Sequence, residues 1–246
     1  MDRLYSISHR ALMRASLAVL LIDDLTGKPI TGSNARAWIE GAKPPVKKSD
    51  GWNVFLELPR GSYTVIAEGG MYCRTSAEAA VSEGVGTLLL RLSPNRLYRL
   101  PSGCVRIEGQ AAPGTQISVY AQGKQPACKL LKDSPAGSTE VTLFCSGDPP
   151  VGKLLRFSSP EGVSETVRLT APGEAPDLYQ LSAPLENAYP RAGTLIAPVT
   201  LTEADDKGRF FAVVRCTSPE GTVTVEGGGV SKEYQRSDVL TVSLVD

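Results

Sequence analysis

The chain has 246 residues, 41% of them hydrophobic, and its 26 basic side chains are matched by 26 acidic ones. That apolar content supports packed cores and excludes global disorder, and the balanced charge argues against a nucleic-acid partner, whose phosphates call for a basic excess. The 24 glycines and 18 prolines predict many turns and short strands, and no apolar run is long enough to span a bilayer.

The first 14 residues stand apart as an N-terminal arm. Leu4, Tyr5, Ile7, Leu12 and Met13 alternate there with the basic residues Arg3, Arg10 and Arg14. Such apolar groups gain little on a charged surface; they either order on a partner, which makes them candidate contact residues, or pack back on the first module. Residues 5–14 are expected to form a short helix or an extended tail, the only departure from an all-β chain. The apolar run over residues 15–22 is short and ends in Asp23-Asp24, with no small-residue cleavage site. It reads as the first core strand rather than a signal peptide, and the expectation is synthesis in the cytoplasm without a leader.

Beyond it the hydrophobic period is two. Residues 52–58, 62–67 and 222–226 alternate as strands do when one face is buried and one is wet. Lys43, Lys47 and Lys48 cluster around two prolines and read as a solvated loop. In residues 52–58 the alternation sets Trp52, Val54, Leu56 and Leu58 on one face, expected in the core. Phe55 shares the other face with Asn53 and Glu57 and is a candidate exposed contact. The first core is predicted to hold Leu20, Ile22, Trp38, Val54, Leu56, Tyr63, Val65, Leu88 and Leu90. Trp38 and Trp52 are the aromatics a sugar platform would use, so a surface glycan is an alternative partner.

A local device recurs three times. Pro59-Arg60-Gly61, Pro150-Val151-Gly152 and Pro219-Glu220-Gly221 each make a turn before an apolar strand. Turns at Ser49-Asp50-Gly51, Ser134-Pro135-Ala136-Gly137 and Asp205-Asp206-Lys207-Gly208 lie upstream, and alternating runs at residues 87–92, 165–169 and 239–244 close each round. The expected organisation is an arm over 1–14 and three β-sandwich modules over 15–94, 95–174 and 175–246, each near the size at which a β-domain buries its own core.

The first module resembles the carboxypeptidase regulatory-like, or transthyretin-like, β-sandwich repeat. The likeness lies in Leu25-Thr26-Gly27-Lys28-Pro29-Ile30, in the hairpin Ser49-Asp50-Gly51-Trp52, and in Leu58-Pro59-Arg60-Gly61-Ser62-Tyr63. The hairpin is shorter than the family's, and residues 206–211 carry a weaker likeness. The resemblance implies tandem Ig-like or transthyretin-like sandwiches with Greek-key connections, no catalytic residue, and use as a structural or binding appendage.

The residues themselves offer little chemistry. His9 is the single histidine, so neither a histidine metal pair nor a preorganised triad is expected. Five scattered cysteines, Cys73, Cys104, Cys128, Cys145 and Cys216, contain no CxxC pair; Cys145 and Cys216 fall in apolar runs, and reduced packing thiols are expected. Asp23-Asp24 and Asp205-Asp206 stand at turns, where Asp bonds to nearby backbone, and calcium at Glu203, Asp205 or Asp206 lacks EF-hand spacing. The expectation is a non-enzymatic component without cofactors that works through contacts with other protein subunits. By fold analogy it would be an accessory baseplate, collar or tail-surface protein of a phage or phage-tail-like contractile particle, located in an assembled particle or virion. The alternative is a bacterial surface adhesion or carbohydrate-binding protein.

Overall fold

The computed structural model describes residues 13–122, 128–145 and 151–245, and among them every regular element is a strand. None is a helix long and apolar enough to cross a membrane. The chain divides into two compact units, one of residues up to 23 together with 28–92, the other of 24–27 and 93–246.

Among the described residues the first unit has seven strands: β1 (Ala15–Asp23), β2 (Ala35–Ile39), β3 (Val46–Lys47), β4 (Trp52–Leu56), β5 (Gly61–Gly69), β6 (Tyr72–Val81) and β7 (Gly86–Leu92). They form one sheet in the order β3-β4-β1-β7 and another in the order β2-β5-β6. β1 runs antiparallel to β4 and parallel to β7. The inner faces bury Leu17, Val19, Leu21, Phe55, Leu90 and Leu92 from the first sheet and Ala35, Ala37, Ile39, Val65, Ala67 and Val81 from the second. The turn into β4 depends on Gly51. Its φ is 97°, and a Cβ there would come within 3.2 Å of the Ile30 carbonyl, so a side chain would meet both backbone strain and a fixed neighbour.

The predicted core is corrected in part. Ile22, Val65 and Leu90 are buried, but Leu20, Trp38, Val54, Leu56, Tyr63 and Leu88 are only half-buried. Phe55, expected as an exposed contact, is 1% exposed and lies among the largest fully buried side chains.

The second unit holds β8 (Cys104–Gln110), β9 (Gln116–Gln122), β10 (Cys128–Leu130), β11 (Glu140–Cys145), β12 (Leu154–Ser158), β13 (Ser164–Pro172), β14 (Leu178–Leu181), β15 (Leu195–Glu203), β16 (Arg209–Arg215), β17 (Thr222–Gly227), β18 (Val230–Gln235) and β19 (Val239–Ser243). The turn-then-strand device opens a strand each time, at β5, β12 and β17; Pro150 lies outside the described residues. β10-β11-β14-β13-β12-β15 are hydrogen-bonded in sequence, and β10 pairs back with β15, which closes a six-stranded barrel. Its interior is filled by side chains including Leu143, Leu155, Phe157, Leu169, Tyr189 and Ile196, so it is a packed core and not a channel. The same sheet continues through β15 into β9, β17 and β18. Those strands share a core with the sheet β16-β8-β19, built on Val105, Ile107, Ile117, Val119, Phe210, Val223 and Val225.

Five of the six barrel strands, β10 to β14, therefore lie between β9 and β15 in the chain, while β9 and β15 are themselves neighbours in space. Boundaries at 95–174 and 175–246 do not match this pairing, because strands on either side of residue 174 share one sheet. β15 carries the continuity. It pairs with β12 over residues 195–199, and its other edge meets β10 at Ile196 and β9 from Val199 onward. Pro198 stands between those two partners on that second edge, where a missing backbone donor costs least.

Candidate interaction faces

β4 reads Trp-Asn-Val-Phe-Leu, apolar on both faces except at Asn53. Alternation therefore cannot decide which face is inward, and pairing register does. Phe55 lies opposite Leu17 and Asn53 opposite Val19, both pairs facing the core. The reverse face sets Trp52 opposite Leu20 and Val54 opposite Ala18. Val46 of β3 extends it beside Val54, and Leu89 of β7 beside Leu20. Leu89 is 50% exposed and Val46 42%. A row of aliphatic and aromatic side chains thus runs across four strands on the outward face of a sheet. A monomeric domain normally keeps such a face polar.

The outward face of β2-β5-β6 has a different chemistry. Arg36 and Arg74 both lie over the Trp38 ring, at 5.1 and 5.4 Å from its centroid. The indole Nε1 donates to Glu40 Oε1 at 3.1 Å, and Arg36 is paired with Glu68. Arg36, Arg74, Glu68 and Lys47 rim a shallow, open depression. Lys47 donates to the carbonyls of Gly32 and Ala35 and so braces the turn before β2. Because the guanidinium groups already occupy the ring, a sugar stacking on Trp38 would have to displace them.

Of the contact residues read from the arm, Leu4, Tyr5, Ile7 and Leu12 lie outside the described residues. Met13 is described, is 61% exposed and leads into β1. The two acid pairs serve structure. Asp23 is buried and accepts a hydrogen bond from the Tyr72 hydroxyl at 3.0 Å. Asp205 caps the β15–β16 turn: its Oδ1 accepts the amides of Lys207 and Arg209 at 3.0 and 2.8 Å, and Oδ2 accepts the Arg209 guanidinium. The Arg209 amide and side chain hold this carboxyl below its usual value. Among the described residues no group of three or more His, Cys, Asp or Glu is placed to hold a metal.

Two arrangements in the second unit are not legible in the sequence. Arg156 of β12 lies over the Tyr120 ring of β9 at 4.9 Å and pairs with Glu226 of β17 at 3.0 Å. Tyr120 donates to the same carboxylate at 2.8 Å. Burial, then that hydrogen bond, pushes the Tyr120 hydroxyl up to about 12. The cluster joins barrel strand to sandwich strand across β15. The other arrangement is Cys128 opposite Cys145, whose sulfurs are 2.8 Å apart. Strand register brings these groups together: that of the consecutive strands β10 and β11 for the cysteines, and that of β12, β15, β9 and β17 for Arg156, Tyr120 and Glu226.

No family model matches the chain, and no curated protein matches it. Among solved structures it is similar to the Bacillus anthracis TIE protein at 10% identity, over 94% of this chain and 50% of that one, with a TM-score of 0.28. The chain thus spans about half the length of that structure, and a likeness this weak carries no argument about fold or function.

Proposed function

We propose that this is a non-enzymatic assembly component that binds another protein subunit through the outward face of β3-β4-β1-β7. The carrying observation is the apolar row of Val46, Val54, Trp52, Leu20 and Leu89 on that face. Aromatic and aliphatic side chains grouped on a flat surface are the usual core of a protein–protein contact, where water release supplies the driving force. The particle we propose for it is phage-tail-like, a reading that rests on fold analogy alone.

The test is sedimentation of lysate from cells that express the chain in its native setting. The wild-type chain should travel with a fraction much heavier than a monomer. A Val46→Glu, Leu89→Glu chain should move to the monomer position with its thermal midpoint kept, because both residues are exposed and surface substitutions cost about 0.5 kcal/mol or less. Co-sedimentation of the double variant at wild-type occupancy would overturn the assignment of this face. A wild-type chain that sediments only as a monomer would overturn the assembly role.

A further inference from the structure

Cys128 and Cys145 end two neighbouring barrel strands and lie directly opposite each other. Three positions further along the same register, the amide of Leu131 donates to the carbonyl of Thr142. Hydrogen-bonded and non-hydrogen-bonded pairs alternate along an antiparallel ladder. Residues 131 and 142 form a hydrogen-bonded pair, so 128 and 145 fall on a non-hydrogen-bonded one. In such pairs the Cα atoms stand about 4.5 Å apart, inside the range a disulfide spans. The sulfurs already touch at 2.8 Å, with both thiols free. Cys128 also makes the pairing that closes the barrel, opposite Ile196 of β15.

We propose that Cys128 and Cys145 are a dithiol–disulfide switch that locks the closing strand of the barrel when oxidised by a low-molecular-weight disulfide. Cys145 is half-buried and Cys128 is 2% exposed, so Cys145 is the sulfur an incoming disulfide reaches. The hydrogen bond between the pair supports this order: it holds the proton on Cys128 and lowers the pKa of Cys145, and the thiolate is the nucleophile. The Cys145 thiolate attacks one sulfur of the oxidant and expels its first thiolate, leaving a mixed disulfide. Cys128 then loses its proton, attacks the Cys145 sulfur and expels the second thiolate. Two protein thiols are oxidised, and one small disulfide is reduced to two thiols. The link closes a loop between residues 17 positions apart and removes conformations from the unfolded chain.

The test treats the full-length chain with oxidised glutathione, blocks remaining thiols with an alkylating agent, and maps the peptides by mass. A peptide joining Cys128 to Cys145, lighter by about 2 Da than the two thiol peptides together, is expected. The thermal midpoint of the second unit should rise by about 5–15 °C and return on reduction. Cys128→Ser should stop at a stable glutathione adduct on Cys145, whereas Cys145→Ser should leave Cys128 unmodified. Alkylation of both cysteines after oxidation, linkage of either one to Cys73, Cys104 or Cys216, or a wild-type adduct on Cys145 that never resolves would overturn the proposal. None of these outcomes depends on the first unit's outward face.

Discussion

At the scale of single residues, burial sets the electrostatics of the second unit. Tyr189 is fully buried beside Phe157, with ring centroids 5.4 Å apart. Loss of hydration for its phenolate, reinforced by the negative charge of Glu165, pushes its hydroxyl up to about 12. Tyr120 reaches about 12 as well, and burial raises Tyr179 in the same direction. A raised folded pKa means the native state keeps a proton that the unfolded chain releases near pH 10. The resulting stability is complete below about pH 10 and is lost as the pH climbs towards about 12. Tyrosinate absorbance during an alkaline titration should therefore show a late phase from Tyr120, Tyr179 and Tyr189, together with unfolding of the second unit. Tyr120→Phe should remove one late proton. Ionisation of all eight tyrosines near pH 10 in a chain still folded would contradict this packing. The buried positions themselves were only partly legible. Val65 follows from alternation because Ser62, Thr64 and Glu68 keep the other face of β5 largely polar, whereas β4 is apolar on both faces and alternation alone inverts its facing.

At the scale of elements, the strands were the most legible feature. Pro–x–Gly turns open β5, β12 and β17, and the alternating runs at residues 87–92, 165–169 and 239–244 become β7, β13 and β19 with small changes at their ends. These signals are local, since proline and glycine fix the chain direction wherever it goes. What the pattern does not hold is close approach between strands. Gly109 in β8 is flanked by Phe210 of β16 and Val242 of β19, its direct partners. A methyl there would run into the Phe210 ring and the Val242 carbonyl. Gly109→Ala should lower the stability of the second unit by about 1–3 kcal/mol, seen as a lower thermal midpoint. A midpoint equal to or above wild type would show that β8 and β16 are not packed this tightly.

At the scale of the molecule, the all-β class followed from composition and periodicity, but the arrangement of strands did not. Three rounds of the same turn-and-strand pattern suggest three modules in a row. Instead β10 to β13 of the middle round close a barrel with β14 and β15 of the third, and β15 also pairs with β9, the sandwich strand that precedes the barrel in the chain. Pairing of β9 with β15 joins segments separated by the other five barrel strands, and no local sequence signal reports such a partner. The same limit hid Arg156 beside Glu226; Cys128 and Cys145 lie on consecutive strands, and there it is the register of β10 on β11 that no local signal reports. The outward apolar face of the first unit was hidden for another reason: its residues look like core, and only register turns them outward.

The facing of β4 is therefore the central claim, and two single substitutions at adjacent positions test it. Phe55→Asp places a carboxylate in the core opposite Leu17, where a buried unpaired charge costs several kcal/mol, roughly the whole stability of a small domain. Val54→Asp places it on the half-exposed outward face, where strand propensity is the main loss, about 1 kcal/mol. Thermal unfolding followed by circular dichroism should show the first unit absent in Phe55→Asp and present in Val54→Asp, with a midpoint lower by roughly 4–8 °C. A Val54→Asp chain that loses the first unit while Phe55→Asp keeps it would contradict the account.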